Sequence, residues 1–277
     1  CLPRDREYFM LWQNDNAIIV GKYQNTISEI NEEAVRERGI RVLLDGVFNH
    51  TGRKSVYFNA DGFYPSLGAA QGEQSPYYRW YSFHSFPDDY DAWWGIKNLP
   101  AVNETEQSYV DYIIEGDNSI IKRWLRAGAS GWRLDVADEL PDKFLDRLRL
   151  AAKAEKPDAY ILGEVWEDAS NKISYGERRR YLRGAQLDSV MNYPFARLMT
   201  DFAISGKAEG FNDTVEQICE NYPKPSVDCL MNHIGTHDTC RILNMLATGW
   251  EYHSDPRERY AGGLTPEQAE RGKRLLR

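Results

Sequence analysis

Cysteine is scarce in this chain, and four residues in 277 cannot build a disulfide framework for a chain of this size. Cys1, Cys219, Cys229 and Cys240 show neither CxxC spacing nor the clustered ligands of a zinc site. We therefore expect free thiols in a cytoplasmic protein, because reducing compartments keep thiols reduced. A Cys229–Cys240 disulfide is the alternative that the sequence leaves open.

Long apolar runs and an excess of positive charge are also missing. No run approaches the ~20 apolar residues of a membrane-spanning helix, and the first ten residues, CLPRDREYFM, lack the pattern of a signal peptide. The formal net charge of −8 argues against nucleic acid or an anionic membrane as a partner. A neutral polar substrate remains compatible with this composition.

Aromatic residues are abundant, at 13% of the chain with 8 Trp and 17 Tyr. Their flat apolar faces and polar edges suit stacking against sugars, although core packing uses the same residues. Thirteen aromatics fall within Thr51–Pro100, which has no clear periodicity. This segment is either a loop-rich lobe held by its own aromatic core or a wall of a substrate cleft.

Acidic residues directly follow short apolar runs at four places in the chain. They are Asp45 in RVLLDGVFNH, Asp135 in GWRLDVADE, Glu164 in YILGEVW and Asp238 in NHIGTHD. An apolar run that ends in a carboxylate is typical of a buried strand that delivers an acid to one rim of a sheet or barrel. Four such segments predict a shared acidic rim, the arrangement that glycosidic bond cleavage uses.

Strand and helix patterns alternate along the chain. The predicted strands are Arg41–Leu44, Gly131–Leu134, Tyr160–Gly163, Ala185–Met191 and Cys229–Ile234. The predicted helices are Glu29–Arg38, Ser119–Ala127, Pro141–Ala154 and one that opens at Thr265-Pro266 and runs to the last residue. Glu164 follows Asp135 by 29 residues, about one strand–helix unit. This alternation predicts an α/β fold with a parallel sheet, most commonly a (β/α)8 TIM barrel.

The barrel is expected to be incomplete, with about five of its eight strands. Residues 1–50 and 118–277 are predicted to form the partial barrel, and 51–117 a loop-rich insertion after the strand that ends at Asp45. Only 44 residues precede Asp45, and Cys1–Asn25 does not resemble a strand–helix unit. We therefore expect a partial catalytic domain that is short at both ends.

Four motifs carry a resemblance to a known family. DGVFNH, GWRLDVADE, GEVW and GTHD resemble, in order, the signature regions of the α-amylase family of glycoside hydrolases. The insertion at 51–117 resembles that family's B domain. Because the position of Glu139 is acidic, GWRLDVADE is similar to the neopullulanase, cyclomaltodextrinase and maltogenic amylase subgroup. The resemblance extends from about Glu32 to Leu246.

The resemblance implies a retaining hydrolase of α-1,4-glucosidic bonds, with some transglycosylation. Its substrates would be starch-derived glucans, maltooligosaccharides, cyclodextrins or pullulan. Asp135 would be the nucleophile, Glu164 the general acid/base and Asp238 the acid that stabilises the distorted sugar. The alternative is a non-catalytic or inactive amylase-like fragment that binds glucan or a protein partner.

Further residues are implied as helpers of these acids. Arg133 precedes Asp135 by two positions and shares its strand face, so its guanidinium would keep the nucleophile ionised and oriented. His50 and His237 resemble histidines that hydrogen-bond the sugar, although either alone would be interpreted as a core histidine bonded to backbone. Asp45 resembles the invariant acid of the first region, with a supporting role.

Weaker candidates for substrate contact are Glu139, Trp166 and Arg241. Each also has a structural interpretation: Glu139 as a solvated acid at a helix start, Trp166 as an aromatic residue at the rim, and Arg241 as a surface base in a salt bridge. Trp166 could also supply part of the apolar surroundings that favour a protonated Glu164. Asn49 resembles a residue that binds calcium in many α-amylases, but its partner ligands are not identifiable, so no metal or cofactor is predicted.

The expected partner is an α-glucan or maltooligosaccharide substrate, without nucleic acid or membrane. The sequence leaves open that the full-length parent forms a homodimer. The basic run Arg178–Arg180 is expected to face solvent.

Overall fold

The computed structural model describes residues 8–10, 41–249 and 263–276. It divides into two compact units, of which the first contains Cys1–Glu164 and Ile173–Asp188 and the second contains Val165–Lys172 and Ser189–Arg277. The helix predicted at Glu29–Arg38 lies outside the described residues.

A parallel sheet organises the first unit. Its described strands are β1 (Tyr8–Met10), β2 (Arg41–Gly46), β3 (Phe83–Ser85), β4 (Asp89–Tyr90), β5 (Gly131–Leu134), β6 (Tyr160–Gly163), β7 (Ile173–Ser174) and β8 (Glu177–Arg178). β1, β2, β5 and β6 are neighbours in that order and run parallel. Every residue of β5 and β6 is buried, which explains why their sequences are apolar except for Arg133.

The three strongest strand predictions are confirmed, because β2, β5 and β6 cover Arg41–Leu44, Gly131–Leu134 and Tyr160–Gly163. β1 lies within Cys1–Asn25, a segment whose sequence does not resemble a strand–helix unit. Tyr8 pairs with Arg41 and Met10 with Leu43. A three-residue strand is too short for a periodic signal, so only its pairing with β2 reveals it.

Two helices of the first unit agree with the sequence patterns to within one residue at each end. Ile120–Arg126 begins after Ser119, and Asp142–Glu155 begins after Pro141 and buries Phe144, Leu145 and Leu148 against the core. The two helices pack against each other. Shorter helical segments occur at Ala69–Gln71, Tyr78–Trp80, Trp93–Gly95, Gln107–Val110, Asp111–Glu115 and Ala137–Glu139.

The aromatic-rich segment packs around its own rings. Phe58 is fully buried, and its ring centroid lies 4.9 Å from that of Tyr81 and 4.7 Å from that of Tyr90. The Trp80 ring lies 5.0 Å from Tyr109. These contacts support the interpretation of a lobe with an aromatic core, while the boundaries at 51 and 117 remain a prediction.

The expectation that Arg178–Arg180 faces solvent is wrong for Arg179. Arg179 is buried and forms an ion pair with Asp142 at 3.3 Å. Arg180 pairs with Asp142 at 3.1 Å and also with Asp146. These acids lie one turn apart on the helix Asp142–Glu155, so the pairing depends on tertiary structure that local composition does not contain.

Helices dominate the second unit in its described residues. They are Tyr193–Ser205, Phe211–Asn221, Lys224–Val227, Ile242–Thr248 and Pro266–Leu276, and one short strand, β9, spans Ser189–Val190. The helix Pro266–Leu276 begins with the predicted capping box. The backbone N–H of Thr265 donates to Gln268 Oε1 at 2.9 Å, and that of Gln268 donates to Thr265 Oγ1 at 3.2 Å.

Two strand predictions in the second half of the chain need correction. The strand expected over Ala185–Met191 is reduced to β9. The strand expected at Cys229–Ile234 is wrong: among the described residues this segment makes a single bridge, from Met231 to Met191. The backbone N–H groups of Cys229 and Leu230 instead donate to carbonyls three residues earlier. Such local turn bonds compete with a strand ladder.

Among the described cysteines, Cys219 is a free, exposed thiol, and Cys240 is buried. Within the described ranges, no helix combines the length and the apolar character needed to cross a membrane.

Candidate active site

The carboxyl ends of three neighbouring strands bring acids together in the first unit. Asp45 is the penultimate residue of β2 and is paired in register with Arg133 of β5. Asp135 follows β5, and its backbone N–H donates to the Gly46 carbonyl at 3.1 Å. Glu164 follows β6, and its backbone N–H donates to the Leu134 carbonyl at 3.0 Å. The predicted acidic rim is therefore present for these three acids.

One guanidinium binds all three carboxylates. Arg133 is fully buried, and its Nη1 lies 2.7 Å from Asp45 Oδ1 and 2.6 Å from Asp135 Oδ1. Its Nη2 forms an ion pair with Glu164 Oε2 at 2.8 Å. Burial by itself lowers the pKa of Arg133, but the charges of the three acids outweigh burial and raise that pKa. The sequence predicted only the contact with Asp135.

Asp135 is set apart by its electrostatic surroundings. Burial raises the pKa of Asp135 to about 7; Arg133 opposes the shift, and the negative charges of Glu164 and Asp45 add to it. Asp135 and Glu164 both contact the guanidinium of Arg133, so the two acids share one positive charge.

The backbone after Asp135 adopts an unusual conformation. Val136 has φ 41° and ψ 64°, in the left-handed region that a β-branched residue rarely occupies. In this conformation the N–H of Val136 donates to Glu164 Oε2 at 2.9 Å, and the N–H of Ala137 donates to the Glu164 carbonyl at 3.1 Å. The strained turn therefore holds Glu164 beside Asp135. Backbone strain of this kind is found most often at functional sites.

Asn49 and His50 extend the site along the segment that follows β2. The buried Asn49 donates from Nδ2 to the Asp135 carbonyl at 3.3 Å, and its Oδ1 contacts Nδ1 of His50. The His50 ring stacks on Trp93 with the centroids 5.2 Å apart. Asn49 thus links the backbone of Asp135 to His50.

Glu139 ends the short helix Ala137–Glu139 and is not simply solvated. Its Oε1 accepts a hydrogen bond from Trp94 Nε1 at 3.1 Å, and its Oε2 accepts one from the Tyr175 hydroxyl. Neither aromatic side chain was predicted from the sequence. The available signals were weak: two adjacent tryptophans before a glycine and a Tyr-Gly pair between two short strands.

The remaining candidates lie in the second unit. His237 Nε2 lies 3.3 Å from Asp238 Oδ2, and the N–H of Asp238 donates to Thr236 Oγ1 at 3.2 Å. The exposed Arg241 directly precedes the helix Ile242–Thr248. The Trp166 ring stacks on Tyr193 with the centroids 4.4 Å apart, and both line a cavity of about 360 Å³. That these residues meet Asp135 and Glu164 remains a prediction.

Glu104 is a partly buried carboxyl that the sequence did not single out. Burial raises its pKa to about 8; its own backbone N–H opposes the shift and the charge of Glu139 adds to it. The folded state therefore binds more protons than the unfolded state between about pH 4.3 and pH 8. Ionised Glu104 accordingly destabilises the fold above this window and has no such effect below it.

Replacing Glu104 with Gln is expected to stabilise the protein at alkaline pH. The free energy of unfolding should increase by about 1–3 kcal/mol near pH 9 and remain unchanged near pH 4, because the neutral amide avoids the ionisation of a partly buried acid. Urea unfolding at both pH values measures this difference. Glu106→Gln, two residues away, is the matched control, and an equal effect of both variants at both pH values would contradict the assignment.

Comparison with known proteins decides the family. A family model described as the α-amylase catalytic domain matches residues 23–260 of this chain. The chain belongs to the α-amylase family. The resemblance seen in the four motifs is thereby confirmed, together with the TIM-barrel class of the fold, of which the described residues include four parallel strands in the first unit.

Relatives in the α-amylase family agree with the subgroup suggested by Glu139. The amylopullulanase of Thermoanaerobacterium thermosulfurigenes is 38% identical over 80% of this chain, and the cyclomaltodextrinase of a Bacillus species is 36% identical over 75% of it. The solved structure of the Nostoc punctiforme debranching enzyme soaked with acarbose superposes with a TM-score of 0.68, at 28% identity over 86% of this chain. The chain spans 13%, 35% and 55% of these three proteins, respectively.

Proposed function

We propose that this chain cleaves α-1,4-glucosidic bonds of starch-derived glucans by hydrolysis with retention of configuration. One observation carries the proposal: Asp135 and Glu164 contact two nitrogens of the same buried guanidinium, that of Arg133. A retaining glycosidase needs two carboxyl groups about 5–5.5 Å apart, one to attack the sugar and one to protonate the leaving oxygen. Sharing one guanidinium keeps the two carboxyls close.

The proposed reaction has two displacements. The Asp135 carboxylate attacks the anomeric carbon and forms a glycosyl ester, while Glu164 donates its proton to the glycosidic oxygen that leaves. The Glu164 carboxylate then removes a proton from water, whose oxygen attacks the same carbon and releases Asp135. Two inversions restore the α configuration. When another sugar hydroxyl replaces water, the same steps give transglycosylation.

We assign proton donation to Glu164 and nucleophilic attack to Asp135 on the strength of their motifs, GEVW and GWRLDVADE. Asp135, which accepts from Nη1 of Arg133, then carries the negative charge that attack requires. Asp238 is assigned to stabilising the distorted sugar, and His50 and His237 to hydrogen bonds with it, on the strength of their motifs.

The substrate is assigned from the relatives' names. An amylopullulanase and a cyclomaltodextrinase are among the curated relatives, so pullulan, cyclodextrins and maltooligosaccharides are the proposed substrate class. A relative from Bacillus subtilis is named intracellular maltogenic amylase, which supports a cytoplasmic location. Homodimerisation of the full-length parent belongs to the same proposal.

The configuration of the first product tests the mechanism. Maltooligosaccharide cleavage followed by proton NMR is expected to release the α-anomer first, with the β-anomer appearing only through later mutarotation. Initial release of the β-anomer would exclude a retaining reaction. Reducing-sugar assays on starch, pullulan, cyclodextrin and maltooligosaccharide then rank the substrates, and a protein inactive on all four would contradict the proposed function.

A further inference from the structure

A short stretch of the first unit binds the backbone that follows β5. We call residues 174–181 the clamp segment and residues 136–140 the active-site turn. In the clamp segment, Ser174 Oγ donates to the Asp138 carbonyl at 3.2 Å, and the Tyr181 hydroxyl donates to Asp138 Oδ1 at 2.6 Å. The clamp segment therefore holds both the backbone and the side chain of Asp138.

Arg179 makes the second attachment to the active-site turn. Its Nη2 donates to the Leu140 carbonyl, and its Nε forms an ion pair with Asp142 Oδ1 at 3.3 Å. The guanidinium also lies over the ring of the fully buried Tyr181, with Cζ 5.0 Å from the ring centroid. Burial and the hydrogen bond to Asp138 raise the pKa of Tyr181, so its hydroxyl keeps its proton and donates. The two side chains therefore form one buried cluster that donates to the turn at two places.

The active-site turn is the part of the backbone that holds Glu164 beside Asp135. The N–H of Val136 donates to Glu164 Oε2 at 2.9 Å, and that of Ala137 donates to the Glu164 carbonyl at 3.1 Å. Val136 makes its bond at φ 41°, a left-handed conformation that costs free energy in a β-branched residue. Such strain persists only where the surrounding structure requires it. The clamp segment binds the same turn from its other end.

The chain beyond the clamp segment packs against the strand that delivers Glu164. The N–H of Leu187 donates to the Tyr181 carbonyl at 3.0 Å, and the Leu187 side chain is buried. A Cβ placed on Gly163, the last residue of β6, would collide with Leu187 Cδ1 and lie 3.4 Å from the Ala137 Cβ. Leu187 and the active-site turn therefore meet at the end of β6, directly before Glu164.

We propose that Arg179 and Tyr181 are positioning residues for the acid/base Glu164. They keep the active-site turn in the conformation that holds Glu164 beside Asp135, and neither side chain takes part in a chemical step. This inference rests on the proposed function for the role of Glu164. When either attachment is lost, Val136 relaxes from the left-handed region and its N–H no longer holds Glu164 Oε2. The proton donor then moves away from the glycosidic oxygen.

Substitution of the two positioning residues is expected to slow hydrolysis without weakening substrate binding. Tyr181→Phe keeps the ring and removes the donor to Asp138, and Arg179→Met removes the donor to the Leu140 carbonyl. Each is expected to lower kcat for maltoheptaose about five- to thirtyfold, because displaced reacting groups slow the chemistry. Maltoheptaose affinity, measured by calorimetry in protein that also carries Asp135→Asn, should stay within about twofold. Arg179→Lys, which can still donate to the carbonyl, should retain more of kcat than Arg179→Met.

Arg180→Met is the matched control for a purely structural role. Arg180 belongs to the same segment, but it binds Asp142 at 3.1 Å and Asp146, both on the helix Asp142–Glu155 rather than on the active-site turn. Its loss should lower the unfolding temperature and leave kcat within about twofold of the parent. A loss of kcat as large as in Arg179→Met, or parental kcat in both Arg179→Met and Tyr181→Phe, would overturn the proposal.

A reaction that needs no proton transfer by Glu164 separates positioning from general damage. With α-maltosyl fluoride, the carbon–fluorine bond breaks as Asp135 forms the glycosyl ester, and fluoride leaves without a proton. Azide then attacks the anomeric carbon and releases Asp135 without a general base. With this pair of reagents, Tyr181→Phe and Arg179→Met are expected to recover to within about threefold of the parent. Equal losses on maltoheptaose and on the fluoride with azide would overturn the role at Glu164.

Hydrogen exchange tests the positioning without catalysis. The amides of Val136 and Ala137, followed by NMR, are expected to exchange about fivefold faster or more in Tyr181→Phe and Arg179→Met, and at the parental rate in Arg180→Met. A parent inactive on both substrates, with this faster exchange in the variants, would contradict the proposed function and retain the clamp. Unchanged exchange at both amides would overturn the clamp. Thermal unfolding checks each variant, and Tyr181→Phe, which removes a single oxygen, provides the test if Arg179→Met does not fold.

Discussion

Asp135→Asn protein is expected to lose hydrolytic activity by on the order of 10⁴-fold or more, while its affinity for maltooligosaccharide changes little. The amide keeps the shape of the carboxyl and can still accept a hydrogen bond from Arg133, but it cannot attack the anomeric carbon. Release of reducing sugar gives the rate, and calorimetric titration gives the affinity. The combination separates loss of chemistry from loss of binding.

Stability supplies an internal control for this variant. Because burial raises the pKa of Asp135 to about 7, its ionised form destabilises the fold above that pH, and the neutral amide removes this effect. The unfolding midpoint near pH 8 should therefore be maintained or increased. Asp61→Asn removes an acid from an exposed pair with Arg53 and should leave activity close to the parent. Activity near the parental rate in folded Asp135→Asn protein would refute the nucleophile assignment.

Arg133→Met is expected to be among the most destabilising single substitutions in the chain. It leaves Asp45, Asp135 and Glu164 together at a largely buried site without their shared counter-charge. Breaking a buried ion pair from one side typically costs about 3–5 kcal/mol. Urea unfolding near pH 7 is the measurement, and activity should be lost as well because the two catalytic candidates are no longer held together.

The pH dependence identifies the cause of that loss. Arg133 lowers the pKa of Asp135, so without Arg133 that pKa rises further. The cost of ionising Asp135 in the folded state is fully present above the raised pKa and decreases as the pH falls below it. The difference from the parent should therefore shrink near pH 5 and grow near pH 8. Arg126→Met, which removes an exposed pair with Glu155, should change stability far less at either pH. Parental stability of Arg133→Met at neutral pH would show that the buried guanidinium does not hold these acids.

Sequence patterns predict the structure correctly where the local pattern of a segment matches its position in the tertiary structure. β5 and β6 are short apolar runs, flanked by helices with clear ends, and their burial on both faces produces the pattern that predicts them. Asp135 and Glu164 could be placed at one edge because parallel strands direct their carboxyl ends the same way. The capping box at Thr265 was also predictable, since it depends on residues three positions apart.

Two predictions are wrong because the structure of the segment depends on local backbone hydrogen bonds or on charged residues far away in the sequence. Cys229–Ile234 contains enough apolar residues to resemble a strand, but the N–H groups of Cys229 and Leu230 bond within local turns. Arg179 and Arg180 form a basic run that resembles a solvated surface, yet acids on the helix Asp142–Glu155 bind both. The composition of a basic run does not show which distant segment provides its ion-pair partners.

The amino-acid sequence by itself determined the family, the barrel class and the acids Asp45, Asp135 and Glu164, because catalytic motifs and strand periodicity are local properties of the chain. Only the tertiary structure decided that one buried guanidinium binds all three acids, that Val136 adopts a left-handed turn, and that Glu139 holds Trp94 and Tyr175. The physical reason is that charge sharing and backbone strain depend on distant segments of the chain meeting in space, as the cross-strand pairing of Asp45 with Arg133 shows at a separation of 88 residues.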